Sequence, residues 1–230
     1  MEIKKNVEKD KVVDIIISFV KALKNPAYTE DKKEVVVMFD GKTYLWNAKY
    51  LLGQILRSYN VPEYKKLISV EAKAKWEEIT KDGSKIEEYY YTKRIPIDWN
   101  KVSKLDVYKG MSNNSEKKGG GEVTYRQVFH DEHIVPVSVI IENLIKISDE
   151  DLTVENVEKK LNNMCVCRIL KTECHRLDKK FKTKRPFNPI ESIEKCFFDG
   201  DVGIEVFDWE KRKAEISKMI EGTNYGKFDY

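Results

Sequence analysis

Histidine is scarce in this sequence and confined to one region. The three histidines of the 230-residue chain are His130, His133 and His175. Imidazole gains or loses a proton near neutral pH, so a histidine can act as a general base or as a metal ligand. A single histidine is usually structural, but here any imidazole chemistry is restricted to the region that holds all three.

Positive charge is concentrated in the same region. Ten basic and two acidic residues lie between Lys159 and Arg185, a net charge of +8, although the whole chain carries only +3. A segment of this kind is typical of a surface that faces a polyanion. Taken alone, the charge is explained equally well by a solvated, lysine-rich face.

Two segments around the histidines resemble a known enzyme family. Residues 131–138 read Asp-Glu-His-Ile-Val-Pro-Val-Ser, an acidic residue and a histidine followed by two apolar residues and a proline. In residues 162–178, two asparagines precede a short strand and a helix start that carries His175. The segments resemble the two halves of the HNH motif of the ββα-metal endonucleases, over about residues 125–180.

The resemblance implies a role for each group. His133 would be the general base that activates water, and Asn163 or Asn162 would orient it. Glu132 and His175 would hold one divalent metal ion, for which we expect Mg²⁺ or Mn²⁺ before Zn²⁺. Phosphodiester hydrolysis needs both, because water has to lose a proton and the leaving oxygen has to be stabilised. Nearby basic side chains would contact the phosphates of DNA: Lys171, Arg176, Lys179, Lys180 and Lys182.

The function implied is a metal-dependent endonuclease that hydrolyses double-stranded DNA, of the restriction or defence kind. A homing or structure-specific nickase, and a non-catalytic nucleic-acid-binding protein with a degenerate HNH fold, stay open as alternatives. Enzymes that cut both strands are often symmetric, so a homodimer is an open possibility. The N-terminus has no signal-peptide pattern and no apolar run is long enough to span a bilayer, so we expect a cytoplasmic protein without a membrane partner.

The four cysteines are expected to be reduced in a chain of this length without a signal peptide. Cys165, Cys167 and Cys174 lack the spacing of paired Cys-x-x-Cys zinc ligands. Alternate residues on a short strand are more simply packed thiols, so the sequence favours a core role over a zinc site.

The periodicity of apolar residues predicts the elements that position these side chains. The predicted helices are residues 7–24, 48–58, 70–80, 138–147, 153–161, 172–181 (capped by Thr172), 192–197 and 209–220. The predicted strands are residues 34–39, 42–46, 86–95, 123–137 and 165–170.

The expected fold class is α+β, with a ββα-metal (HNH) catalytic unit embedded in a mixed α/β chain. Residues 1–111 would form an N-terminal helix and hairpin region, a candidate for DNA recognition. Residues 112–121 are polar and glycine-rich and are predicted to be a flexible loop. The nuclease core would cover residues 122–185, followed by C-terminal helices over 186–230.

Overall fold

The computed structural model describes residues 9–24, 34–39, 42–59, 65–80, 85–86, 94–96, 122–124 and 128–221. Over these residues the chain is mixed α+β, with eight α-helices and a small three-stranded sheet. The predicted fold class is therefore confirmed at this level. None of the helices described here has both the length and the apolar character needed to cross a membrane.

The elements follow one another along the chain with these bounds. They are α1 Lys9–Lys24, β1 Glu34–Phe39, β2 Lys42–Asn47, α2 Ala48–Ser58, β3 Lys66–Ile68, α3 Val70–Ile79, β4 Arg94–Pro96, β5 Glu122–Thr124, β6 Phe129–His133, α4 Val137–Ile145, α5 Val154–Leu161, β7 Val166–Leu170, α6 Lys171–Lys180, α7 Pro189–Ser192, a π-helix Ile193–Phe197 and α8 Trp209–Glu221.

Two compact units share the chain. The helical unit contains residues 1–60, 135–164 and 220–230, and the sheet unit contains residues 61–134 and 165–219. Each unit combines segments that are distant in sequence. This is possible because the apolar face of a helix has to pack against another element, and that element can come from any part of the chain. The linear division predicted from the sequence stays a prediction.

In the helical unit, α1, α2, α4 and α5 pack together. Val13, Ile16 and Val20 of α1 are fully buried, which is the one-sided pattern of an amphipathic helix and confirms the helix predicted there. β1 and β2 form an antiparallel hairpin in which Phe39 pairs with Lys42. The two residues between them are Asp-Gly, the dipeptide that predicted this hairpin.

The sheet unit contains the strand order β3–β7–β6. β7 lies in the middle, parallel to β3 and antiparallel to β6, so that Cys167 pairs with Leu67 on one side and with Glu132 on the other. Phe129 of β6 packs against Trp76 of α3, with ring centroids 5.7 Å apart. α6 follows β7 without an intervening loop. Two antiparallel strands and a helix therefore adjoin where β7 ends.

The predicted strand over residues 123–137 is divided in the structure. β5 and β6 are separate strands, and Val137 is already the first residue of α4. Pro136 explains why the strand ends early: its φ is −56° and it has no N–H, which suits the start of a helix and not a strand ladder. Of the strand predicted over 86–95, residues 94 and 95 belong to β4, whereas 87–93 lie outside the described residues, as does the predicted loop 112–121.

The start of α6 differs from the prediction that Thr172 caps it. The helix begins one residue earlier, at Lys171, and the carboxylate of Glu173 accepts a hydrogen bond from the Leu170 N–H at 2.7 Å. A carboxylate at the third helical position can reach back to an unpaired N–H at the helix start. The same oxygen of Glu173 accepts from the Ser69 hydroxyl at 2.7 Å, and that hydroxyl in turn accepts from the Ala72 N–H. Ser69 and Glu173 thereby fasten the starts of α3 and α6 to each other.

Glu173 should make the stability of the protein depend on pH. Burial raises the pKa of this carboxyl from 4.5 to about 7, and its second oxygen, Oε1, is buried with no hydrogen-bond partner among the described residues. Between these two pKa values the folded state keeps a proton that the unfolded chain has released, so the carboxyl costs stability as the pH rises. From pH 5 to pH 8 the wild type should lose about 2–3 kcal/mol of unfolding free energy that Glu173→Gln retains.

Urea denaturation at the two pH values measures this difference. Glu205→Gln, which changes an exposed carboxylate, is the matched control and should follow the wild type. The same pH dependence in Glu173→Gln and wild type would show that Glu173 is charged in the folded protein at neutral pH.

Candidate metal centre

Two side chains of β6 form the first part of the site. Successive residues of a strand point to opposite faces, so His130 and Glu132 lie on the same face of the sheet. Their closest atoms, His130 Nε2 and Glu132 Oε2, are 3.0 Å apart. Glu132 is buried, with only 8% of the residue exposed, although it carries a carboxylate.

α6 adds a thiol to this pair. Cys174 lies one turn into the helix and is buried, with its Sγ 3.9 Å from Glu132 Oε2. The donor atoms of His130, Glu132 and Cys174 all lie within 4.8 Å of one another. These three residues, here called the donor group, could bind a metal ion. Imidazole nitrogen, carboxylate oxygen and cysteine sulfur are the usual protein ligands of transition metals.

Arg185 reaches the donor group from the turn after α6. Its Nη1 donates to Glu132 Oε1 at 2.7 Å and to the His133 carbonyl at 3.1 Å, and its side chain is 2% exposed. Lys182 makes the turn possible, since its backbone has a positive φ of 45° and its carbonyl accepts from Arg185 Nε at 3.0 Å. The guanidinium also lies 3.6 Å from Asp178 Oδ1. One oxygen of Glu132 is thus bound to Arg185 and the other faces the donor group.

The two acidic groups of the site have opposite pKa shifts. Burial raises the pKa of Glu132, but the hydrogen bond from His130 and the charge of Arg185 together outweigh burial, so the pKa lies below its usual value. Glu132 is therefore a carboxylate at neutral pH. For Cys174, burial and the nearby carboxylates of Glu132 and Asp178 raise the pKa to about 12. The group without metal thus holds an anionic carboxylate beside a neutral thiol.

The predicted base and second ligand lie outside the donor group. His133 is half-buried at the end of β6, and strand alternation places its side chain on the face opposite to Glu132. His175 is exposed on α6, next to the buried Cys174. Of the two predicted ligands, the structure brings only Glu132 to the group. From the sequence, His130 was open as a third ligand, but a phosphate contact or a plain strand residue was favoured, and Cys174 was interpreted as a packed thiol. The His-x-Glu spacing of a strand could have favoured the ligand role of His130.

The two asparagines predicted to orient the base belong to the helical unit. Asn163 is fully buried, and its Nδ2 donates to the Lys160 carbonyl at 3.3 Å. Asn162 is the C-terminal cap of α5, and its N–H donates to the Glu158 carbonyl. Both therefore take part in ending that helix, and a role in orienting His133 stays a prediction.

At least five of the ten basic side chains between 159 and 185 pair with carboxylates of described residues. These are Lys159, Arg168, Arg176, Lys180 and Arg185. Two of the predicted phosphate contacts are among them, since Arg176 meets Glu71 and Lys180 meets Asp199 and Asp201. Lys171, Lys179, Lys182 and Lys184 make no ion pair with another described residue, and the last three are exposed. The charge that can face a ligand is thus centred on the end of α6 and the turn after it.

Comparisons with protein-family models, characterised proteins and solved structures give no significant match to this chain. The resemblance to the HNH family therefore depends on the two sequence segments and on the order β6, β7, α6. Membership of that family stays a prediction.

Removing Arg185 should destabilise the sheet unit strongly. Arg185→Met keeps most of the side-chain volume but leaves the buried Glu132 carboxylate without its cation, which typically costs about 3–5 kcal/mol. Adding Glu132→Gln to Arg185→Met should recover most of this loss, because the buried charge is then removed as well. Urea denaturation of the two variants and of the exposed control Lys184→Met measures the effect. An Arg185→Met protein as stable as the control would mean that Glu132 is solvated and not ion-paired.

Proposed function

We propose that this chain is a metal-dependent phosphodiester hydrolase that cuts DNA, an HNH-type endonuclease of the restriction or defence kind. The observation that carries the proposal is the arrangement at the junction of β6, β7 and α6. There an antiparallel strand pair leads directly into a helix, potential metal ligands come from both strand and helix, and a histidine stands next to the acidic ligand.

The donor group would hold the metal ion in this reaction. A divalent ion bound there would stabilise negative charge on the phosphate and on the leaving oxygen. Glu132 supplies the carboxylate for it, with Oε1 held by Arg185 and Oε2 facing the group.

His133 would accept a proton from water on one of its imidazole nitrogens. β6 pairs with β7 on one side, and no described strand pairs with its other side. Side chains from the two faces of such an edge strand can reach the same group around the edge. A phosphate placed along this edge could therefore meet a metal ion held by Glu132 on one face and His133 on the other.

The lysines after α6 would bind the phosphate backbone. Lys179, Lys182 and Lys184 are exposed and close in sequence to Arg185, which touches Glu132. Phosphate contacts of this kind position DNA and carry no sequence information. Sequence recognition would have to come from other residues of the chain.

One observation favours a second candidate function, nucleic-acid binding without catalysis. Arg185 already neutralises Glu132 in the folded protein, and the donor group could hold a structural ion that only fastens α6 to β6. Digestion of duplex DNA with added divalent metal separates the two functions, and the products separate a restriction enzyme, which cuts both strands, from a nickase.

His133→Ala should reduce cleavage by at least about a hundredfold while DNA binding is kept, because the base is lost and the phosphate contacts are not. Plasmid cleavage and fluorescence anisotropy with a labelled duplex measure the two properties. His133→Gly gives a sharper version, since free imidazole should restore part of its activity. Near-normal cleavage by a folded His133→Ala protein would rule out His133 as the base.

Reversing exposed charge after α6 should weaken DNA binding and its salt dependence. The slope of log K against log salt is about −0.9 per phosphate contact on duplex DNA, so Lys182→Glu with Lys184→Glu should make the slope shallower by about 2. The matched control is Lys211→Glu with Lys218→Glu, two exposed lysines of α8. Equal slopes in the two double variants would mean that the basic segment is a solvated surface that does not contact DNA.

A further inference from the structure

We propose that the donor group is a site for a transition-metal ion of the zinc class, not for Mg²⁺, and that Arg185 positions its carboxylate. This assigns Cys174 as a metal ligand in place of His175. The use of the ion in DNA cleavage rests on the proposed function, but its binding does not.

The donor types select the ion. Thiolate and imidazole are soft or borderline ligands that favour zinc, cobalt and related ions, whereas Mg²⁺ requires about six oxygen ligands in a nearly ideal octahedron. The donor group offers a single carboxylate oxygen, because Glu132 Oε1 is bound to Arg185. A site with His130 and Cys174 as its other donors is therefore poorly suited to Mg²⁺ and well suited to zinc.

The distances fit a tetrahedral ion after small shifts. With metal–ligand distances of about 2.1 Å to nitrogen and oxygen and about 2.3 Å to sulfur, the ligand atoms of a tetrahedral site lie roughly 3.4–3.7 Å apart. The separations here are 3.0 Å between His130 and Glu132 and 3.9 Å between Glu132 and Cys174, and no pair exceeds 4.8 Å. Three protein ligands would leave one position for water, as in catalytic zinc sites.

The charges around the group also match a divalent ion. Glu132 and Asp178 are acidic, Cys174 becomes anionic when it binds metal, and Arg185 contributes one positive charge. Even with Lys171, whose positive charge also acts on Cys174, the surroundings keep a net negative charge, which favours a divalent cation. Arg185 thus has a positioning role: it occupies Oε1 and keeps Glu132 a one-oxygen ligand turned toward His130 and Cys174.

Cobalt substitution of the full chain tests the ligand set directly. After treatment with a chelator, Co²⁺ should produce the near-ultraviolet charge-transfer absorption of a thiolate–cobalt bond. Zn²⁺ should abolish this absorption, whereas Mg²⁺ in about a thousandfold excess should not, because it does not compete for thiolate. No charge-transfer absorption in the wild type, or its loss on adding Mg²⁺, would overturn the proposal.

Variants identify the residues involved. Cys174→Ser should lose the absorption, whereas the matched control Cys196→Ser should keep it. Arg185→Met should keep the absorption but bind Co²⁺ about 10–100-fold more weakly, as expected for a residue that only orients a ligand. His175→Ala should bind Co²⁺ as the wild type does, because His175 is exposed and outside the group. Absorption that persists in Cys174→Ser, or that is lost in a folded His175→Ala, would overturn the ligand set.

Circular dichroism of each metal-free variant shows whether it is folded. If Cys174→Ser does not fold, the cobalt absorption spectrum of the wild type decides whether a thiolate binds the metal. The outcome is also separable from that of the proposed function. A chain that binds Co²⁺ through Cys174 but never cuts DNA keeps this site and loses the nuclease. A chain that cuts DNA with Mg²⁺ and shows no thiolate–cobalt absorption keeps the nuclease and loses this site.

Discussion

The Glu132 carboxylate lies inside the sheet unit, where it would be unfavourable without a cation. The cation comes from Arg185, 53 residues further along the chain, which donates to Glu132 Oε1 at 2.7 Å. The left-handed backbone of Lys182 turns the chain back after α6 and allows this approach. The ion pair thereby fixes a strand, a helix and a turn in one arrangement. In that arrangement the other oxygen of Glu132 faces His130 and Cys174, so the pair orients the carboxylate of the candidate site.

Ion pairing of this kind also limits what a count of charges along the sequence can say about function. The segment between Lys159 and Arg185 has a net charge of +8 by sequence, but at least five of its ten basic side chains pair with carboxylates of described residues, most of them in other segments. Arg185 shows this most clearly, since its side chain is buried and its charge is used inside the protein to pair with Glu132. A basic segment therefore combines cations that hold the structure together with cations that face solvent, and only the second kind can attract a polyanion.

Periodicity in the sequence predicted most helices and the first hairpin, because each amphipathic pattern is local. Two predictions were wrong: the end of the strand near Pro136 and the cap of α6. The first depends on the proline ring of Pro136, which favours a helix start, and the second on the Glu173 side chain, which accepts a hydrogen bond from the Leu170 N–H. The site was predicted in part. Glu132 was identified, but Cys174 was interpreted as a packed thiol because its partners, two residues of β6, are about forty positions away in sequence. Sequence spacing cannot show which face of α6 meets the sheet, and that face carries Cys174 instead of His175.

The division of the chain between its two units has a consequence for how the protein is made. The chain enters the helical unit, leaves it after residue 60, returns at 135, leaves again after 164 and returns at 220. β3 and β7 pair in parallel although 100 positions separate Lys66 from Val166. Closing such large loops costs entropy before any contact is gained, which should slow folding. During synthesis neither core can be completed by the first half of the chain, and the nascent protein has to remain soluble until residues beyond 164 have emerged from the ribosome.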